Sequence, residues 1–285
     1  MTLRITPLHP LFAAEIGGLD LALPLAEASL HALREALQAH RLLVFRDQHL
    51  APADQVAFTR RFGAPVLHAV PGTQLPGRPE IVLEADAAGS QRPFGLGDLR
   101  WHADLAYTPQ PNRVSALHAQ SLPPAGGTTL FADQYAAHDR LDPWLAYHVQ
   151  FLEAEHDPAL RPANSTAGAA PRLLPPVAHP VVRVDPETGR RGLFVDEDTT
   201  TRLLGVPEPE AATLLRRLCA AAADPAVTYR HAWRPQDLVL WDNQAVLHRA
   251  EPRAEGHAWR MHRSMAAGSR PYGPAAVVQP WVMAG

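Results

Sequence analysis

Asp237-Leu238-Val239-Leu240-Trp241-Asp242-Asn243-Gln244-Ala245-Val246-Leu247-His248-Arg249 is the stretch on which the reading of this chain turns. An apolar run of strand length stops at Asp242-Asn243, a pair that favours a turn. A second apolar run follows, with His248 near its start, so the stretch reads as strand, turn, strand. Working outward, apolar runs of the same kind occur at Leu42-Leu43-Val44-Phe45-Arg46, Glu80-Ile81-Val82-Leu83-Glu84, Thr128-Thr129-Leu130-Phe131 and Gly192-Leu193-Phe194-Val195. Helical periodicity is confined to Ala26–His40, Pro52–Phe62 (where Asp54 can cap), Asp133–Val149 and Glu208–Ala222. Strands outnumber helices and do not alternate with them, which argues against a doubly wound parallel sheet. The pattern predicts a mainly β fold with flanking helices, a β-sandwich or a jelly roll.

The 29 prolines and 18 glycines are spread along the whole chain and mark no linker, so residues 1–285 are read as one domain. Tracts without a period predict lid or loop insertions near 71–98 and 156–176. With 285 residues and 46% hydrophobic content the chain can bury a sizeable core unaided. Its single cysteine, Cys219, excludes an internal disulfide framework. A net charge of -3 argues against nucleic-acid binding. No apolar run is long enough to span a membrane and the start is not a secretory signal, so a cytoplasmic setting is expected. All 26 basic residues are arginine. The absence of lysine rules out Schiff-base and P-loop chemistry and leaves the 15 histidines as the chemical question.

Trp101-His102-Ala103-Asp104 is the sharpest local signal. On a strand, side chains at i and i+2 share a face, so His102 and Asp104 can present an imidazole and a carboxylate to one point. His248, 144 positions beyond Asp104 (248 minus 104), supplies a third ligand if the fold brings the halves together. Two histidines and one carboxylate on one side of a metal leave adjacent positions open, the pattern of non-haem Fe(II) oxygenases. The same set could hold zinc in a hydrolase, or the chain could be a non-catalytic barrel that binds organic anions.

These residues sit in a longer series: Ile5-Thr6-Pro7-Leu8, Ala14-Glu15-Ile16-Gly17-Gly18-Leu19-Asp20, Val44-Phe45-Arg46-Asp47-Gln48, Arg60-Arg61-Phe62-Gly63, Gly126-Gly127-Thr128-Thr129-Leu130-Phe131, His179-Pro180-Val181-Val182 and His248-Arg249-Ala250. Together they resemble the family of taurine dioxygenase and 2,4-dichlorophenoxyacetate dioxygenase, over nearly the whole length. The resemblance implies a double-stranded β-helix, a cupin-like jelly-roll barrel. It also implies an enzyme that uses Fe(II), 2-oxoglutarate and O2 to hydroxylate a small, anionic substrate (a sulfonate, alkyl sulfate or carboxylate), releasing succinate and CO2. A desaturating or cyclising oxygenase of a biosynthetic pathway would share the same residues.

In this resemblance His102, Asp104 and His248 match the iron ligands, and Thr129 matches a hydroxyl that meets the far carboxylate of 2-oxoglutarate. Family members place arginines eleven and fifteen positions after the second iron histidine. Here Trp259 stands at eleven, Arg260 at twelve and Arg263 at fifteen. Adjacent strand positions face opposite ways. The reading therefore prefers Arg260 as cosubstrate clamp after a shift in register, with Arg263 near the anionic group of the substrate. The alternative gives Arg263 to the cosubstrate and leaves Arg260 a surface or structural arginine. His68, Asp98 and Leu105 fall at or near substrate-facing positions, and Pro71 stands where the taurine enzyme has a tyrosine. The resemblance also implies a homo-oligomer, a dimer or tetramer. His118 and His148 are expected to be core or surface residues, and His179 to be part of a turn.

Overall fold

The computed structural model describes residues 3–67, 73–86, 100–124, 127–160, 174–251 and 259–274. Its strands are β1 (Arg4–Pro7), β2 (Ala14–Gly17), β3 (Leu42–Phe45), β4 (Gln74–Leu75), β5 (Arg78–Asp86), β6 (Val114–Ser121), β7 (Thr128–Asp133) and β8 (Glu153–His156). They continue with β9 (Val177–Pro180), β10 (Val182–Val184), β11 (Arg191–Leu193), β12 (Thr200–Leu204), β13 (Thr228–Ala232), β14 (Leu238–Asp242), β15 (Val246–Ala250) and β16 (Trp259–Ala266). Among the described residues the α-helices are α1 (Glu27–His40), α2 (Pro52–Thr59), α3 (Gln134–Asp139), α4 (Pro143–Val149) and α5 (Glu210–Ala222).

Eight strands form one sheet in the order β1-β2-β3-β14-β6-β16-β5-β4, and β13-β7-β15 form a second, three-stranded sheet. The two share a core in which Leu117, Val239, Trp241, Trp259 and Met261 of the large sheet meet Phe131 and Val246 of the small one. On the other side of the large sheet, Leu33 and Leu37 of α1 and Phe58 of α2 pack with Phe45, Leu238 and Leu240. That double coverage explains the unbroken apolar run in β14, since Val239 and Trp241 face one layer while Leu238 and Leu240 face the other. Among the described residues the ladders do not close into a barrel.

α1 ends where Arg41 takes a left-handed backbone (φ 58°), and its guanidinium turns inward to a buried ion pair with Asp133 at 3.0 Å. α2 opens at Pro52, and Asp54 accepts from the Ala51 N–H at 2.9 Å, as its position predicted. The periodic tract Asp133–Val149 is two helices. Asp142 caps the second by accepting from the Leu145 N–H at 2.9 Å, and Pro143 cannot continue the first. Residues 73–86 are not a loop insertion: they form β4 and β5, which complete the edge of the large sheet. The tract 156–176 begins with the end of β8 and a 3-10 turn at Pro158–Leu160, and 161–173 fall outside the described residues. His179 is in β9, not in a turn, and its Nε2 pairs with the Thr108 carbonyl at 2.9 Å. No helix among the described residues is long and apolar enough to cross a membrane.

Candidate metal centre

The turn between β14 and β15 brings the two halves of the site together. His102 is not in a regular strand. It forms an isolated bridge with His248, His102 N to His248 O at 3.0 Å and His248 N to His102 O at 2.9 Å. Asp104 lies in the turn that follows, ahead of Leu105, whose φ is 56°. Asn243 fixes that turn. Its Oδ1 accepts from the Asp104 N–H at 2.9 Å, and its Nδ2 donates to the Asp104 carbonyl at 2.9 Å. The imidazole and carboxylate thus share a point because an asparagine holds the turn from outside, not through strand alternation.

His102, Asp104 and His248 are all buried, and one ligand atom from each lies within 4.8 Å of the others. Asp104 Oδ1 stands 4.0 Å from His102 Nε2 and 3.7 Å from His248 Nε2. His102 Nδ1 lies 2.9 Å from the Arg100 carbonyl, a contact that places the proton on Nδ1 and leaves Nε2 with a lone pair for a metal. His248 stacks on Phe131 at 6.1 Å and tilts against Trp241 at 4.9 Å, so its ring has little room to turn. The second Asp104 oxygen accepts from Ser115 Oγ at 2.6 Å, and Asn112 Nδ2 donates to that hydroxyl at 2.8 Å. Burial alone would raise the Asp104 pKa. The Arg263 guanidinium, the two imidazoles and the Ser115 hydroxyl outweigh it and hold the carboxyl well below the usual range.

This donor set suits a divalent cation. Positive charge is drawn to the same point in the structure itself: the Arg263 guanidinium pairs with Asp104 Oδ1 and lies 3.4 Å from His248 Nε2. Two neutral nitrogens and one carboxylate fit Fe(II), and a buried site with three protein donors leaves positions for a cosubstrate and O2.

Strand β16 settles where its two arginines point. Trp259 and Met261 face the core between the sheets, while Ser264 faces α2 and meets Gln55 and Thr59. Arg263 shares the inner face: it is buried, its Nε is 2.5 Å from Glu84 Oε1, and its guanidinium carbon lies 5.7 Å from the Trp241 ring centre. Arg260 is exposed. The pairing with β6 does shift, between Arg260 and Met261, but the extra residue is on β6, because Ser121 and Ala119 are the successive partners. β16 keeps its alternation, and the preference for Arg260 as clamp is corrected: its side chain is on the outer face.

Thr129 is buried on the inner face of β7, two residues from Phe131, and its Oγ1 accepts from Trp233 Nε1 at 2.9 Å. Leu105 is half-buried beside Asp104. His68, Pro71 and Asp98 lie outside the described residues. His118 is a core residue bonded to the Gln48 carbonyl, and His148 is on α4. Sequence reasoning missed Ser115, Asn112 and Glu84. It noted Asn243 only as a turn residue.

The family described as "Taurine catabolism dioxygenase TauD, TfdA family" matches residues 4–265. The chain belongs to that family. It is 34% identical over 261 residues to the (S)-phenoxypropionate/alpha-ketoglutarate-dioxygenase of Sphingobium herbicidovorans, covering 87% of this chain and 89% of that one. A putative alpha-ketoglutarate-dependent taurine dioxygenase from Burkholderia xenovorans superposes with a TM-score of 0.85 at 29% identity, covering 96% and 92% of the two chains. AAD-2 in complex with Mn(II) and N-oxalylglycine superposes with a TM-score of 0.81 at 28% identity, over 95% and 98%. The fold is therefore the jelly roll of these dioxygenases, and the chain is an alpha-ketoglutarate-dependent oxidoreductase.

Proposed function

We propose that the enzyme hydroxylates a small organic anion of the aryloxyalkanoate, sulfonate or alkyl sulfate kind at an iron held by His102, Asp104 and His248. The observation that carries this reading is the convergence of those three buried side chains, one ligand atom each within 4.8 Å, beside a guanidinium on the inner wall. The likeness to an enzyme of phenoxypropionate supports the substrate class. Bound there, Fe(II) supplies O2 activation coupled to oxidative decarboxylation of 2-oxoglutarate.

The rest of the chemistry is positioning. Arg100 fixes the His102 tautomer through its carbonyl, Ser115 holds the Asp104 carboxylate, and Asn243 ties its backbone to the β14–β15 turn. Thr129 and Arg263 hold the far carboxylate of 2-oxoglutarate, because Arg263 is the member of the arginine pair on the inner face and a dianion needs a matching cation. That guanidinium pairs with Glu84 and Asp104, carboxylates with which a bound dianion competes. Leu105, next to Asp104, borders the substrate, and His68 and Asp98 are proposed as further substrate contacts. Residues 1–285 act as one domain. The protein works as a homo-oligomer.

Purified protein with Fe(II), ascorbate, O2 and 2-oxoglutarate should release succinate when given phenoxypropionate, an alkyl sulfate or an alkylsulfonate. A gain of one oxygen in the product supports hydroxylation. Loss of two hydrogens would assign desaturation instead, and no succinate with any of the three classes overturns the substrate reading.

A further inference from the structure

The two halves of the metal centre meet at a single pair of residues. His102 and His248 exchange both main-chain hydrogen bonds, at 3.0 and 2.9 Å, in a bridge that belongs to no longer ladder. Two such bonds fix a spacing but leave the segment before His102 free to pivot against β15. The imidazoles nonetheless stand in a defined relation, 4.2 Å apart between ring centres and inclined at 44°. Something besides the bridge must set that angle.

The neighbours of the bridge supply it. Beside a hydrogen-bonded pair in antiparallel strands, the next two residues stand opposite one another and turn their side chains to the other face. Here they are Trp101 and Arg249. Trp101 is buried with Leu130, Ala132 and Leu247, on the side of β15 away from the imidazoles. The guanidinium carbon of Arg249 lies 5.2 Å from the centre of the Trp101 ring, within the range of a cation–π contact. Arg249 is half-buried, and its Nε is buried with no acceptor among the described residues. Glu251, two residues further on, is already held by Arg230 at 3.1 and 2.7 Å. The ring, not an ion pair with Glu251, places the guanidinium. On its main-chain side Trp101 is tied to Glu197, whose N–H donates to the Trp101 carbonyl at 3.1 Å and whose Oε2 accepts from the Trp101 N–H at 3.4 Å.

We propose that Arg249 is a positioning residue for the metal centre. Stacked on Trp101, it clamps the segment that carries His102 onto the strand that carries His248, and so sets how the two imidazoles converge. The inference rests on reading His102, Asp104 and His248 as the ligands, and adds a residue on the opposite face of the strand. An arginine that merely covered apolar surface would act through its aliphatic stem. Methionine keeps that stem and loses the charge, so the two roles part in one substitution.

The test uses Arg249→Met, Arg249→Lys, Trp101→Leu and the Arg249→Met, Trp101→Leu pair. Metal-free proteins are titrated with Mn(II) by calorimetry, and the visible spectrum of the Co(II) forms reads the ligand geometry. Urea unfolding of the metal-free proteins reports stability separately. Arg249→Met should bind Mn(II) about tenfold more weakly and move the Co(II) band, as loss of support behind a metal ligand does. Arg249→Lys, which keeps the cation, should recover part of that affinity. On top of Trp101→Leu, the Arg249→Met change should cost less than about twofold more, because the stacking is already gone. Should Trp101→Leu not fold, the methionine and lysine variants decide alone. Arg249→Met with wild-type affinity and an unmoved Co(II) band overturns the proposal. Losses that multiply in the paired variant also overturn it, as does a lysine variant no better than the methionine one. Wild-type Mn(II) affinity that is unchanged in Asp104→Ala overturns the ligand reading itself, and this proposal with it.

Discussion

Replacing Ser115 by alanine removes a single hydroxyl, and the structure states what it should cost. Ser115 is fully buried, and its Oγ donates to Asp104 Oδ2 at 2.6 Å. A hydrogen bond to an ionised group contributes about 1.5–3 kcal/mol. If that bond orients the carboxylate for the metal, its loss lowers metal affinity about 10- to 100-fold, the range seen when residues behind metal ligands are removed. The fold should survive. Asn112 Nδ2 keeps its bond to the Val114 carbonyl at 3.1 Å, and Asn243 still holds the Asp104 backbone. Isothermal titration of wild type and Ser115→Ala with Mn(II) reads the affinity directly, and urea unfolding of the metal-free proteins checks that stability differs by no more than about 2 kcal/mol. An affinity within threefold of wild type in a folded variant would refute the reasoning, because the hydroxyl would then be packing and not orientation.

Arg263→Met should raise the 2-oxoglutarate dissociation constant about 100-fold without substrate present and leave pyruvate, which lacks a far carboxylate, unaffected. An unchanged 2-oxoglutarate constant with a raised substrate KM would move Arg263 to the substrate. Glu84→Gln should tighten 2-oxoglutarate several-fold, since the Glu84 carboxylate competes for the same guanidinium. Weaker binding in a folded variant would show that Glu84 serves as a support. Trp233→Phe removes the N–H that holds Thr129 Oγ1 at 2.9 Å, and 2-oxoglutarate affinity should fall about three- to tenfold, measured by the same titration. Burial pushes the His179 imidazole down to about 4, and the neighbouring His156 adds to the shift. The unfolded chain takes up that proton first, so stability should fall by about 3 kcal/mol as pH drops from about 6.5 to 4. Urea unfolding of His179→Gln should show a flatter profile over that window, and an identical slope would count against the assignment.

The sequence carried the fold wherever the chain obeyed a simple period. β14 reads as a strand because two layers of core need its alternate residues, and α1 reads as a helix because Leu30, Leu33 and Leu37 share a buried face. It was less legible where a tertiary contact does the ordering. β6 has no clear apolar period, since Ser115 and His118 point to polar partners inside the fold. Asp133–Val149 looks continuous until Asp142 is seen capping a new helix. His102, Asp104 and His248 were visible as residue types that suit a metal, but the device that joins them, Asn243 reaching across 139 positions to Asp104, was not. The arginine question needed the register: only the paired partners of β16 show that the irregularity belongs to β6, leaving Arg260 outside. Glu84 gave no signal, because a glutamate at the end of an apolar run looks like a solvated strand end until its strand is placed beside Arg263.

The central claim is that His102, Asp104 and His248 hold Fe(II) so that 2-oxoglutarate chelates it. Anaerobic titration of the protein with Fe(II) and then 2-oxoglutarate tests it most directly, read by visible absorption. The account predicts a weak charge-transfer band that requires both components, shifts when a true substrate is added, and is lost in Asp104→Ala. A protein that binds Fe(II) but develops no band with 2-oxoglutarate, or an Asp104→Ala variant that keeps the wild-type band, would contradict it.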